Sequence, residues 1–192
     1  MKELQFYPDT INIRYDMKFT EFLLDLLIKF VKEAGNKKYI VGGGLALDLA
    51  YGKITRPHED LDIYPYEGDL DYWIKWFQDQ GLSAVDTPDT KNHPNAFVVI
   101  DKENNYVADI YCVRFEENGE ISGLWRDENG EEEYGTWDDK NHKRAHKVKF
   151  RDVEINVEYF KDVIDQKLAH EKRHNEPLTG KHLHDLELAK KL

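Results

Sequence analysis

From Val41 to Ile63 the chain reads VGGGLALDLAYGKITRPHEDLDI: three glycines, a short apolar helix, a basic loop, and two aspartates separated by one residue. Glycines let backbone N–H groups come close to a phosphate, and carboxylate oxygens are the ligands a hard divalent cation takes. Offered within one supersecondary unit, the two point to nucleotidyl transfer on a metal-bound polyphosphate.

The elements around these residues would have to position them. Residues 39–41 read as a short strand leading into Gly42, Gly43 and Gly44. A helix follows with Leu45, Ala46, Leu49 and Ala50 on one face and Gly52 as its stop, so its first N–H groups and positive dipole end face the glycine turn. Asp60-Leu61-Asp62-Ile63 alternates polar and apolar, the period of a half-buried strand. Leu61 and Ile63 would enter the core while Asp60 and Asp62 share the other face, roughly 6–7 Å apart along the backbone. Like charges so placed repel unless a cation sits between them, and magnesium would fill its remaining positions with water and phosphate.

Competing motif readings fail on spacing. The glycines fit neither G-x-G-x-x-G nor a P-loop, because no G-K-[ST] follows. A calcium loop starting at Asp60 would need ligands where Tyr64 and Asp71 stand and a glycine where Pro65 stands. His170 and His174 have a helical i, i+4 spacing and are followed by His182 and His184, but Glu171-Lys172-Arg173 between the first pair is not H-E-x-x-H, and no four-ligand zinc shell forms. These histidines read as structural or solvated.

The segment resembles the signature of the nucleotidyltransferase superfamily, which includes DNA polymerase beta, the polynucleotide nucleotidyltransferases and antibiotic-modifying enzymes. It is most similar to the lincosamide and aminoglycoside nucleotidyltransferases, through Gly42-Gly43, Ala46-Leu47-Asp48-Leu49, Gly52, Thr55-Arg56-Pro57-His58 and Asp60-Leu61-Asp62-Ile63. Gly44 departs from the pattern, since those enzymes often carry tryptophan there, and would leave the wall beside the cradle more open. The resemblance implies a third carboxylate on a neighbouring strand, matched by Asp109 in Val107-Ala108-Asp109-Ile110-Tyr111-Cys112-Val113. A lone aspartate in so apolar a run must reach solvent or a partner. Similarity resumes at residues 158–190, including a short closing helix around Lys181-His182-Leu183-His184-Asp185-Leu186-Glu187-Leu188. The acidic, turn-rich stretch 116–141 has no counterpart and is where an acceptor-specific loop is expected.

The resemblance further implies magnesium, as one or two ions, on Asp60, Asp62 and Asp109, with a nucleoside triphosphate as co-substrate. Asp109 would be metal ligand, general base, or both. The Gly42, Gly43 and Gly44 backbone and Arg56 would hold phosphates, with Lys167 on a late helix as a further candidate. Arg56 has an alternative in an ion pair with Glu59 or a helix end, Lys167 in reaching solvent, and His58 in being a surface-loop imidazole rather than one that orients an aspartate. The expected reaction carries a nucleoside monophosphate to a hydroxyl of a small molecule, of which a lincosamide- or aminoglycoside-like antibiotic is one kind. Transfer to tRNA or protein, an inactive nucleotide-binding module, and an accidental motif in a generic α+β protein are the alternatives.

Composition narrows the acceptor. The chain has 192 residues, 40% hydrophobic and 12% aromatic, enough for one core, so residues 1–192 are expected to form one domain. Its formal charge is −11, with acidic runs at Glu131-Glu132-Glu133 and Asp138-Asp139. A grip on a nucleic-acid backbone calls for the opposite sign, whereas a cationic small molecule would be attracted. No run approaches the roughly 18 apolar residues of a membrane span, no signal-peptide pattern opens the sequence, and the lone Cys112 suits a reducing cytoplasm.

The scaffold expected from periodicity is α+β, a mixed, mostly antiparallel sheet flanked by helices. Apolar spacing gives helices over 19–34, 69–80 and 159–174. Strands are expected at 83–86, 96–100, 106–113, 147–150 and 153–157, with turns at Asn104-Asn105 and Arg151-Asp152. The helices at about 19–34 and 158–191 would pack on the nucleotidyltransferase core.

Overall fold

A computed structural model describes residues 4, 8, 10–87, 92–117, 120–136, 145–174, 177, 178 and 180–192, except for the side chains of residues 136, 170, 171, 173 and 174. The acidic pair Asp138-Asp139 and the side chains of His170 and His174 lie outside this set. Helix α1 (Met17–Ala34) starts two residues before its apolar face does, because the Asp16 carboxylate accepts the Phe19 N–H at 2.8 Å and caps it. It ends at Gly35, whose φ of 58° only glycine adopts without strain. Strand β1 (Tyr39–Val41) leads through Gly42 into α2 (Gly43–Tyr51), and β2 (Leu61–Pro65) follows the basic loop. Helix α3 (Leu70–Asp79) then precedes a hairpin series, β3 (Ser83–Val85), β4 (Ala96–Ile100) and β5 (Tyr106–Tyr111). The chain continues through β6 (Val113–Phe115), β7 (Ile121–Arg126), β8 (Glu132–Thr136), β9 (Ala145–Phe150) and β10 (Val153–Glu158) to α4 (Phe160–His174) and α5 (Gly180–Ala189).

Seven strands form one sheet in the order β3-β4-β5-β2-β1-β10-β9. The pairs β1/β10 and β2/β5 are parallel and the other four antiparallel, the mixed α+β architecture expected. Leu61, Ile63, Val41, Ile110 and Val157 enter a core shared with Leu23, Leu27 and Phe30 of α1, Leu45 and Leu49 of α2, and Trp73 and Phe77 of α3, which puts the helices on one face. The alternate residues Asp62, Tyr64 and Asp109 therefore face the other way. None of the helices searched among the described residues is long and apolar enough to cross a membrane.

Two expectations need correction. The strand expected over 106–113 breaks at the buried Cys112, and Val113–Phe115 leaves the large sheet to pair with β7. The stretch 116–141, expected as a loop, instead contains β7 and β8, which complete a three-stranded sheet of order β6-β7-β8. Ile121 of this sheet packs with Ile40, Tyr64 and Val113, so the small sheet covers part of the large sheet's open face.

Candidate active site

Each glycine of the turn makes room for a particular side chain. Gly42 extends the β1 ladder by donating its N–H to the Asp62 carbonyl at 2.9 Å. Gly43 has φ of 65°, and a Cβ there would lie 1.7 Å from Asp62 Oδ2. A Cβ on Gly44 would lie 2.0 Å from Arg56 Nη2 and 3.0 Å from Asp185 Oδ2. The wall at Gly44 is thus closed by Arg56 rather than opened.

Asp60, Asp62 and Asp109 are brought together, each offering a carboxylate oxygen within 4.8 Å of the others. Asp62 and Asp109 are direct partners across the parallel β2/β5 pair, while Asp60 stands just before β2. Among the described residues this is the group able to hold a metal ion. Burial, and then the charges of Asp62 and Asp109, push the Asp60 carboxyl well above its usual range. Such a cluster calls for a proton or a cation, so its donor set fits a divalent, oxygen-liganded metal.

A polar cleft of about 160 Å³ lies against this cluster, and Gly43, Gly44, Arg56, Asp60, Asp62, Lys167, Lys181 and His182 are among its lining. Asp109 is not part of that lining. Arg56 and Lys167 are thus brought to the cleft, and both are held by Asp185 of α5. Arg56 donates from Nε and Nη2 to the two carboxylate oxygens at 2.8 Å each, and Lys167 Nζ lies 3.0 Å from Oδ2. Asp185 is 1% exposed. Burial alone would raise its pKa, but the two cations hold it below the usual carboxylate value. The ion pair considered between Arg56 and Glu59 does not form; Glu59 accepts from Lys181 at 2.7 Å. Lys167 is largely covered, with its side chain 15% exposed, rather than reaching into solvent.

The loop carrying Arg56 is fixed from beneath by Asp48 of α2. This carboxylate accepts the Thr55 N–H at 2.9 Å, the Thr55 hydroxyl, and a bond from His58 Nε2 at 2.8 Å. His58 is buried, not a surface imidazole, and the aspartate it orients is Asp48 rather than a member of the triad. Burial lowers the His58 pKa despite the Asp48 partner, which favours the neutral ring. Tyr106 is a further neighbour of the cluster. The β4/β5 register jumps from Val99↔Ala108 to Ile100↔Tyr106, and this bulge turns Tyr106 to the face of Asp109, to which its hydroxyl bonds.

Sequence reasoning gave no role to Asp48, Asp185 or Tyr106. The first carried a signal, because Asp48 lies inside an otherwise apolar helical run, where a carboxylate is costly without partners. Asp185 pairs with residues 129 and 18 positions away and left no local trace.

The family model for aminoglycoside-2''-adenylyltransferase matches residues 23–187. A search of curated protein sequences finds no match. Among solved structures, the lincomycin-bound lincosamide antibiotic adenylyltransferase LnuA superposes with a TM-score of 0.62 at 21% identity, over 93% of this chain and 98% of that one. The antibiotic-resistance factor ANT(2'')-Ia in solution gives a TM-score of 0.67 at 14% identity, over 90% and 84%. A putative nucleotidyltransferase from Thermotoga maritima gives 0.55 at 18% identity, over 88% and 93%. These likenesses agree on the fold, and the match over residues 23–187 takes in the glycine turn, the three aspartates and Asp185; the chain belongs to the aminoglycoside-2''-adenylyltransferase family and is a nucleotidyltransferase.

Proposed function

We propose that the protein transfers a nucleoside monophosphate, with ATP as the first donor to test, to a hydroxyl group of a small cationic molecule of the aminoglycoside or lincosamide kind. The observation that carries this reading is the three-carboxylate cluster beside a glycine turn, with Arg56 and Lys167 on the adjoining cleft wall. The family description supports an adenylyl donor and an aminoglycoside-like acceptor. The charge of −11 supports a cationic acceptor over a polyanion such as tRNA.

Asp60, Asp62 and Asp109 would hold magnesium, which when bound neutralises charge on the phosphates and on departing pyrophosphate. The N–H groups at the start of α2, with Arg56 and Lys167, orient the triphosphate from the cleft side. Asp109, which does not line the cleft, is where an acceptor hydroxyl would approach. It takes the proton as the hydroxyl oxygen bonds to the α-phosphorus and the bond from that phosphorus to the pyrophosphate oxygen breaks.

The test is incubation with each nucleoside triphosphate, magnesium, and a panel of aminoglycosides, lincosamides and tRNA, read by mass spectrometry. A nucleotidyl adduct on a small molecule, with stoichiometric pyrophosphate, is expected. An adduct on tRNA alone would overturn the acceptor assignment, and no pyrophosphate with any donor would overturn the reaction.

A further inference from the structure

Helix α5 does more than close the fold. Three of its side chains reach the loop between α2 and β2: Lys181 bonds Glu59 at 2.7 Å, His184 bonds Thr55 at 2.8 Å, and Asp185 takes Arg56 through both carboxylate oxygens. Asp185 also takes Lys167 from α4, so one buried carboxylate joins a loop and two helices at the wall of the cleft. Two cations side by side would repel and turn outward to water unless an anion held them. A single anion under two cations leaves a net positive charge facing the cleft. Arg56 is fixed further, since Nη1 donates to the Pro57 carbonyl at 2.9 Å and Nη2 occupies the space that a side chain on Gly44 would fill.

We infer that Asp185 is a positioning residue of the donor site, presetting Arg56 and Lys167 as a pair that recognises the polyphosphate of the nucleotide. It does not touch the nucleotide itself. Its effect is to supply the ordering of two long side chains before the ligand arrives, so that binding does not have to. This rests on the proposed function in taking the cleft as the nucleotide site. It goes further in making α5 part of that site and in assigning the selectivity to phosphate number rather than to the base.

The test is equilibrium titration of the full chain, with magnesium, against a non-hydrolysable ATP analogue and separately against AMP. Asp185→Asn keeps the shape but can no longer hold both cations. Loss of one charge-assisted hydrogen bond corresponds to about a 10- to 100-fold change in affinity. The analogue should weaken by that factor while AMP changes by less than about threefold, and a merely structural role would weaken both together or neither. Gly44→Ala is the second variant: its backbone is already helical, it deletes no charge, and its methyl displaces Arg56 from Asp185. It should reproduce the selective loss, and it decides the matter if Asp185→Asn does not fold. Unchanged analogue binding in a folded variant would overturn the inference and leave the donor site standing. If the unaltered protein binds neither ligand, the donor-site reading falls, and this inference falls with it.

Discussion

At Gly43 a single missing methyl sets how near the glycine turn comes to the metal-ligand strand. With φ of 65° and Asp62 Oδ2 at 1.7 Å from a would-be Cβ, alanine meets both a strained backbone and a carboxylate it must push aside. Gly43→Ala should lower stability by about 1–2 kcal/mol from the left-handed conformation, and should cost far more in activity, because Asp62 moves relative to its two partners. Thermal melting with a magnesium titration checks this; wild-type metal affinity in the variant would refute the geometry. Asp60 allows a second prediction with an unusual sign. Burial and two like charges push its carboxyl well above the usual range, so ionising it in the metal-free site is costly, and Asp60→Asn removes that cost as well as a ligand. The variant should lose turnover and metal binding yet melt no lower than the metal-free parent at neutral pH; normal turnover would sink the assignment.

The basic loop between α2 and β2 holds its shape because a helix lies beneath it. Asp48 is 1% exposed and accepts from Thr55 twice and from His58, whose own N–H donates to Thr20 Oγ1 at 2.8 Å. Truncating this buried carboxylate leaves the Thr55 N–H and the His58 ring without their acceptor, and each buried donor so stranded costs about 1–3 kcal/mol. Asp48→Ala should therefore show a large fall in melting temperature and, where still folded, weaker nucleotide binding as Arg56 loses its platform. A melting temperature within a degree or two of wild type, about what ~0.5 kcal/mol produces, would show that the loop does not depend on it. The helices and most strands of the large sheet were legible because their apolar periodicities are local, as were the glycine turn and the Asp60-Asp62 pair, which share one segment; Asp109, on β5, entered through the family resemblance. What the sequence hid is long-range. The Asp185 pairs join distant segments, the turn at Cys112 changes sheets without a Gly or Pro to mark it, and acidic residues around β7 and β8 masked Ile121, Trp125 and Tyr134, which are good strand formers.

At the scale of the whole molecule, the negative charge and the carboxylate cluster act together on stability. The folded state holds the proton of Asp60 well above the usual carboxylate pKa, whereas the unfolded chain releases it near about 3.9. Between those two values the folded state binds more protons. The contribution is fully present below the unfolded pKa and is lost as pH rises through the folded one. Past that window, a cation must replace the proton. A ligand at one hundred times its dissociation constant stabilises by about 2.7 kcal/mol, and its affinity rises as the competing proton leaves. The metal-free protein should therefore melt progressively lower as pH is raised from 5 to 8, roughly the range above the free carboxylate, and the increment from magnesium should grow over the same range. Chelation should reverse it, and Asp60→Asn should abolish both trends. Sodium chloride at matched ionic strength separates screening of the overall −11 charge, which acts without a specific site, from occupancy of the triad. Equal increments from magnesium and sodium at every pH would mean that the three carboxylates do not form a metal site.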